Sequence, residues 1–185
     1  YEDLTNNLGG CFIDLMSGDY IINPLEPKTW DDAGSPEDLD APQTFRIRSR
    51  LSQHISFLKD FFRSYKDFTD REIDVIEIML QKLYARWGLT DQSDFDRLDS
   101  VDYPILSDLY AFIEEEYRAF DAKNYPLYTA EMLQSILLGL NSMCVGAESK
   151  FFNGYTNITD DSFITFGVKG LLQAKIGRAS CRERV

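Results

Sequence analysis

The 185-residue sequence has one histidine and three cysteines, and no apolar run nears the length of a membrane span, which takes about 20 residues. Each scarcity excludes something. His54 stands beside an apolar helical stripe with no Cys or Ser nucleophile pattern near it, so a proton shuttle there lacks a partner and a structural or surface role is expected. Cys11, Cys144 and Cys181 are scattered and form no C-x-x-C pair, which argues against a zinc site or a disulfide framework and fits a reducing cytoplasm. A charged start followed by an apolar stretch, the mark of a signal peptide, is missing. So is the Gly-rich loop ending in GK[ST], whose amides would cradle phosphates, and the apolar strand ending in acid that would hold magnesium. The sequence therefore carries no complete nucleotide site.

What is present is acid and apolar surface. The formal charge is −12, and 44% of residues are hydrophobic and 14% aromatic, enough for one cored domain. Lys175, Arg178, Arg182 and Arg184 against Glu183 give the last eleven residues +3, leaving −15 on residues 1 to 174. Such a surface repels phosphate backbones, so direct nucleic-acid binding is not expected. Outside the tail the basic residues cluster only at Arg46, Arg48 and Arg50, a pattern of a solvated helix entry.

Along the chain, the hydrophobic period changes twice. Residues 1–30 carry a short helical face of Tyr1, Leu4 and Leu8, a stop at Gly9 and Gly10, the strand-like run CFIDL and a turning segment with Pro24 and Pro27. Residues 31–48 are an exposed acidic loop. Residues 49–145 are helical. Leu51, Ile55, Leu58, Phe62 and Tyr65 mark one helix face; Thr69 and Glu72 form a capping box before Ile73, Ile76, Leu80, Leu83 and Trp87, and Gly88 closes that helix. Pro104 suits the first turn of a third helix with Leu106, Leu109, Ile113, Tyr117 and Phe120 inward. Pro126 opens a fourth, with Leu133, Ile136, Leu137, Leu140 and Cys144 inward, and short connections favour a bundle. Residues 146–174 return to strand material in SFITFGV. The order predicts an α/β fold, a partial sheet-based core interrupted by an all-α insertion that makes up most of the chain.

Carboxylates offer weak sites. Glu114, Glu115 and Glu116 are consecutive on a helix, point in different directions and cannot converge on one ion, so a solvated face is expected. Asp160 and Asp161 lack partners.

The flanks resemble a known family. Glu2, the Leu8–Gly9–Gly10 turn, the Ile13–Asp14–Leu15 strand and the Ile22–Asn23–Pro24–Leu25 exit follow the order seen in the cytoplasmic motor ATPases of type IV secretion and conjugal transfer, the TraC/TraE-like relatives. GAESKFFNGYTNI and SFITFGVKGL resemble the stretch where that family leaves its helical insertion. The likeness covers residues 1 to 174 and is closest to versions on mobile elements of Gram-positive gut bacteria. It implies a P-loop, RecA-like core, ATP hydrolysis with magnesium, other subunits of a homo-oligomeric ring, secretion-channel proteins as partners, and a cytoplasmic place at the inner face of the membrane. It also implies that both nucleotide motifs lie outside this chain, with no cofactor-binding or metal residue inside it, so that the chain alone is inactive. The related coupling ATPase is a close alternative. Lys150, in GAESKFFNG, is the candidate catalytic residue, a cation supplied to a neighbouring subunit's phosphoryl group.

The sequence begins in mid-pattern without Met, so a start upstream is expected. Residues 175–185, KIGRASCRERV, read as an in-frame translation of a sequencing-library adapter, a non-native tail. The rival to the ATPase piece is a free-standing acidic adaptor whose helices bind another protein.

Overall fold

The computed structural model describes residues 11–14, 19–27, 50–122, 127–158 and 164–167. The expectations placed on residues 1–10, on the loop before Arg50, on Pro126, on Asp160 and Asp161 and on the tail lie outside these.

Helix α1 spans Arg50–Lys66 and buries Leu51, His54, Ile55, Leu58 and Phe62. It ends where Asp67 takes a left-handed φ of 53°, a helix-stopping conformation more often filled by glycine. Phe68 follows and is buried. Helix α2, Asp70–Arg86, then starts on the capping box of Thr69 and Glu72: the Thr69 side chain accepts from Glu72 N while the Glu72 carboxylate accepts from Thr69 N at 2.8 Å. It buries Ile73, Val75, Ile76, Met79, Leu80, Leu83 and Tyr84, and Gly88 at φ 75° follows its end. Two short 3-10 turns, Phe95–Arg97 and Ser100–Asp102, carry the chain onward. Phe95 and Tyr103 stack at 6.5 Å between ring centroids and are both buried.

Helix α3, Leu106–Arg118, buries Leu106, Leu109, Phe112 and Ile113. Its start is held by Asp108, whose carboxylate accepts from Ile105 N at 2.8 Å. Pro104 sits buried just ahead of the helix, a position that needs no N–H. Helix α4, Ala130–Cys144, is capped by Thr129 and buries Leu133, Ile136, Leu140, Met143 and Cys144. Gly139 lets it approach Phe68: a Cβ there would stand 2.5 Å from Phe68 Cε1. A single turn, α5, covers Ser149–Phe152. The buried faces of α1 to α4 form one hydrophobic cluster, which Leu25 also joins.

The expected α/β architecture with a partial P-loop, RecA-like core is not what the described residues form. They are a helical bundle. Beyond it lies one ladder, β1 (Cys11–Asp14) paired in parallel with β2 (Ile164–Gly167), Cys11 opposite Ile164 and Asp14 opposite Gly167. Two strands of four residues each are fewer and shorter than the strands of a sheet layer with helices on its faces. The alternating pattern of SFITFGV is a local signal that a segment can run extended. It carries no information on how many strands lie beside it.

Candidate functional site

The described residues hold their polar chemistry at the seat of segment 19–27, which enters the bundle before α1 and turns at Pro24 and Leu25. Asn23 and Leu25 in it are almost wholly buried. A backbone outside helix and strand brought into a core must find partners for its carbonyls and amides, and three side chains supply them. Asn23 Nδ2 donates to the carbonyl of Pro104 at 2.9 Å, and its Oδ1 accepts from Leu25 N at 3.0 Å. Tyr84 Oη donates to the carbonyl of Leu25 at 2.7 Å. His54 bonds the carbonyl of Pro24, and burial pushes its pKa down to about 4 despite the opposing pull of that bond. Its Nε2 is buried without a partner, so the ring is a neutral donor from its other nitrogen. Burial raises the Tyr84 phenol well above its ordinary range, with Tyr103 adding to the effect. None of these groups is poised to exchange protons near neutrality.

The same segment is laced to the chain's exit from the bundle. Ile21 N donates to Asn157 Oδ1 at 2.7 Å, Asn157 Nδ2 donates to the Asp19 carbonyl at 2.9 Å, and Asn157 N donates to the Ile21 carbonyl at 3.3 Å. Thr156 Oγ1 accepts from Asn23 N at 3.1 Å, and Ile22 N reaches the carbonyl of Phe151 at 3.2 Å. Beside this seam a stripe of rings runs along α1: His54 on Phe57, Phe57 on Phe61 and Phe61 on Tyr65, stacked at 5.8, 6.3 and 5.6 Å, with Phe152 edge-on to Tyr65 at 5.4 Å.

Charged residues are consumed in joining helices. Lys66 at the end of α1 pairs with Glu148 at 2.8 Å and donates to Ser142, which itself donates to Glu148 at 2.8 Å. Partial burial would raise the Glu148 carboxyl, but these bonds hold it below the usual range. Cys144 beside this group is buried, its thiol pushed up to about 12 by burial against the opposing charge of Lys66, and so inert as a nucleophile. The run Glu114 to Glu116 diverges as its spacing requires: Glu114 pairs with Arg118, Glu115 with Arg86 and Glu116 with Lys82, at 2.6, 2.7 and 2.8 Å. Among the described residues no group of three or more His, Cys, Asp or Glu could hold a metal ion. No described helix is long and apolar enough to cross a membrane.

Lys150 lies exposed on α5, its Nζ 4.7 Å from the centroid of the Phe151 ring. It pairs with no carboxylate among the described residues. The structure does not bring it to His54, to the glutamate run or to any other candidate named from the sequence. Two side chains of the seat, Tyr84 and Asn157, carry no functional signal in the sequence, and Asn23 stands out there only as part of the Ile22–Leu25 exit.

No protein-family model and no curated protein matches the sequence. Among solved structures the chain is similar to VirB4 of Thermoanaerobacter pseudethanolicus, with a TM-score of 0.73 and 27% identity over 95% of this chain. The chain spans 41% of the length of that VirB4 chain. The resemblance to type IV secretion ATPases, drawn from the motifs at both ends, thus extends to the backbone through the helical middle.

Proposed function

We propose that this chain works as part of a type IV secretion ATPase and contributes its helical body. The observation that carries this reading is the similarity to VirB4 at a TM-score of 0.73 across 95% of the chain. The position of the family's Ile-Asn-Pro-Leu exit motif supports it, because Asn23 and Leu25 of that motif are the residues that seat the entering segment in the bundle.

On this reading the whole protein hydrolyses ATP with magnesium, assembles with copies of itself, and meets channel proteins at the cytoplasmic face of the membrane during conjugal transfer. The residues of this chain do not fit the nucleotide or the metal: no phosphate-cradling loop occurs in the sequence, and no described cluster suits a cation. The chain's own part is to position and to contact, with Lys150 as the side chain that reaches a neighbouring subunit. Phosphate release by the full-length protein containing this chain tests the proposal. Magnesium-dependent turnover is expected, and a folded preparation that releases no phosphate from ATP would overturn it.

A further inference from the structure

The entering segment is held by two sets of bonds of different character. Those of Asn23 to Pro104 and of Tyr84 to Leu25 are buried. A buried bond cannot be exchanged for water without leaving a desolvated group behind, so it breaks only when the core opens. The bonds of the Asn157 side chain, to Ile21 N and to the Asp19 carbonyl, lie in solvent. Water replaces such bonds at small cost, and regions so held open locally while the core stays folded.

Topology gives the exposed set its meaning. β1 and β2 are parallel neighbours, and the connection between them is the whole helical bundle. Its two legs, 19–22 on entry and 155–158 on exit, run side by side, joined by one backbone bond, Asn157 N to the Ile21 carbonyl at 3.3 Å, and by the two bonds of the Asn157 side chain, so that Asn157 supplies each of these bonds between them. Gly154 allows the close approach, since a Cβ there would stand 3.0 Å from Ile21 Cδ1.

We propose that Asn157 is the latch of a neck joining the entry and exit legs of the helical body, and that this neck opens and closes independently of the bundle core. Segments 19–22 and 155–158 part when the latch is released, while Leu25 remains seated by Tyr84, His54 and Asn23. The bundle is then free to change its attitude to whatever follows the two legs without unfolding.

Amide hydrogen exchange on the intact chain tests this. Asn157→Ala is expected to speed exchange at Ile21 at least tenfold, with the amides of Leu80 and Leu140 in the middle of α2 and α4 unchanged. Asn157→Asp, which keeps an acceptor for Ile21 N and loses the donor to Asp19, is expected to fall between the two. Asn23→Ala serves as the contrast and is expected to speed neck and helix amides together. Unchanged exchange at Ile21 in Asn157→Ala would overturn the proposal. Equal acceleration at Leu80 and Leu140 would overturn it as well, because Asn157 would then be an ordinary contributor to global stability.

Discussion

Tyr84, in the last turn of α2, donates its phenolic proton to the carbonyl of Leu25, 59 residues earlier, at 2.7 Å inside the core. One hydroxyl thus decides whether a buried carbonyl is satisfied. Removing it in Tyr84→Phe keeps the ring and orphans the acceptor, which costs about 1–3 kcal/mol. Denaturant melts of the two proteins measure the loss. A midpoint unchanged from wild type would show that Leu25 finds water instead.

His54 makes stability depend on pH. Its folded pKa, about 4, lies below the ordinary value of 6.5, so the unfolded chain takes up the proton first. The His54 contribution is therefore complete above about pH 6.5 and is lost as pH falls toward 4, amounting to about 3 kcal/mol across that window. Unfolding curves at pH 7, 5.5 and 4.5 for wild type and His54→Gln should converge as pH falls. Parallel curves would return His54 to a titrating surface group.

Gly139→Ala tests the close packing of α4 on Phe68. In an open helix the change gains about 1 kcal/mol. Here the new Cβ would meet the Phe68 ring at 2.5 Å, and overpacking of this kind costs about 1–3 kcal/mol. A net loss is expected from thermal melts, and Phe68→Leu in the same chain should recover part of it. A stabilised single variant would mean that the Phe68 ring swings aside freely.

Lys150→Ala in the full-length assembly is expected to slow ATP turnover at least tenfold, about 1.4 kcal/mol in the barrier, with assembly and nucleotide affinity kept. The exposed position of Lys150 on α5 makes the substitution harmless to the bundle core. Steady-state turnover beside a sizing column separates the two effects. Wild-type turnover would leave Lys150 a solvated lysine resting on Phe151.

The helical half of the fold is legible in the sequence because its signals are local. Leu51, Ile55, Leu58 and Phe62 share a face, and they are buried together; Thr69 and Glu72 read as a capping box and form one. The pattern fails at its margins. Tyr65 and Trp87 keep the helical spacing, yet each is 38% exposed, since a straight helix rotates its stripe away from the core over several turns. The seat of residues 19–27 was beyond reach for a different reason. That Asn23 would meet Pro104, or Ile21 would meet Asn157, is fixed by tertiary approach across 81 and 136 residues and leaves no periodicity behind. The α/β expectation went wrong on the same ground: it took two extended segments for a sheet, where the described residues give one ladder beside a helical body.

The seat also sets an order of events in time. α1 and α2 are joined by three residues and make local contacts, whereas the segment before them closes only against partners such as Tyr84, Pro104 and Thr156. Loop closure over such separations is slow and comes after helix pairing. On the ribosome residues 19–27 therefore emerge before the helices they dock on and dock after those have formed, waiting with Leu25 uncovered until Tyr84, Pro104 and Thr156 have been made. Substitutions at Asn23 should then speed unfolding and leave the folding rate almost untouched.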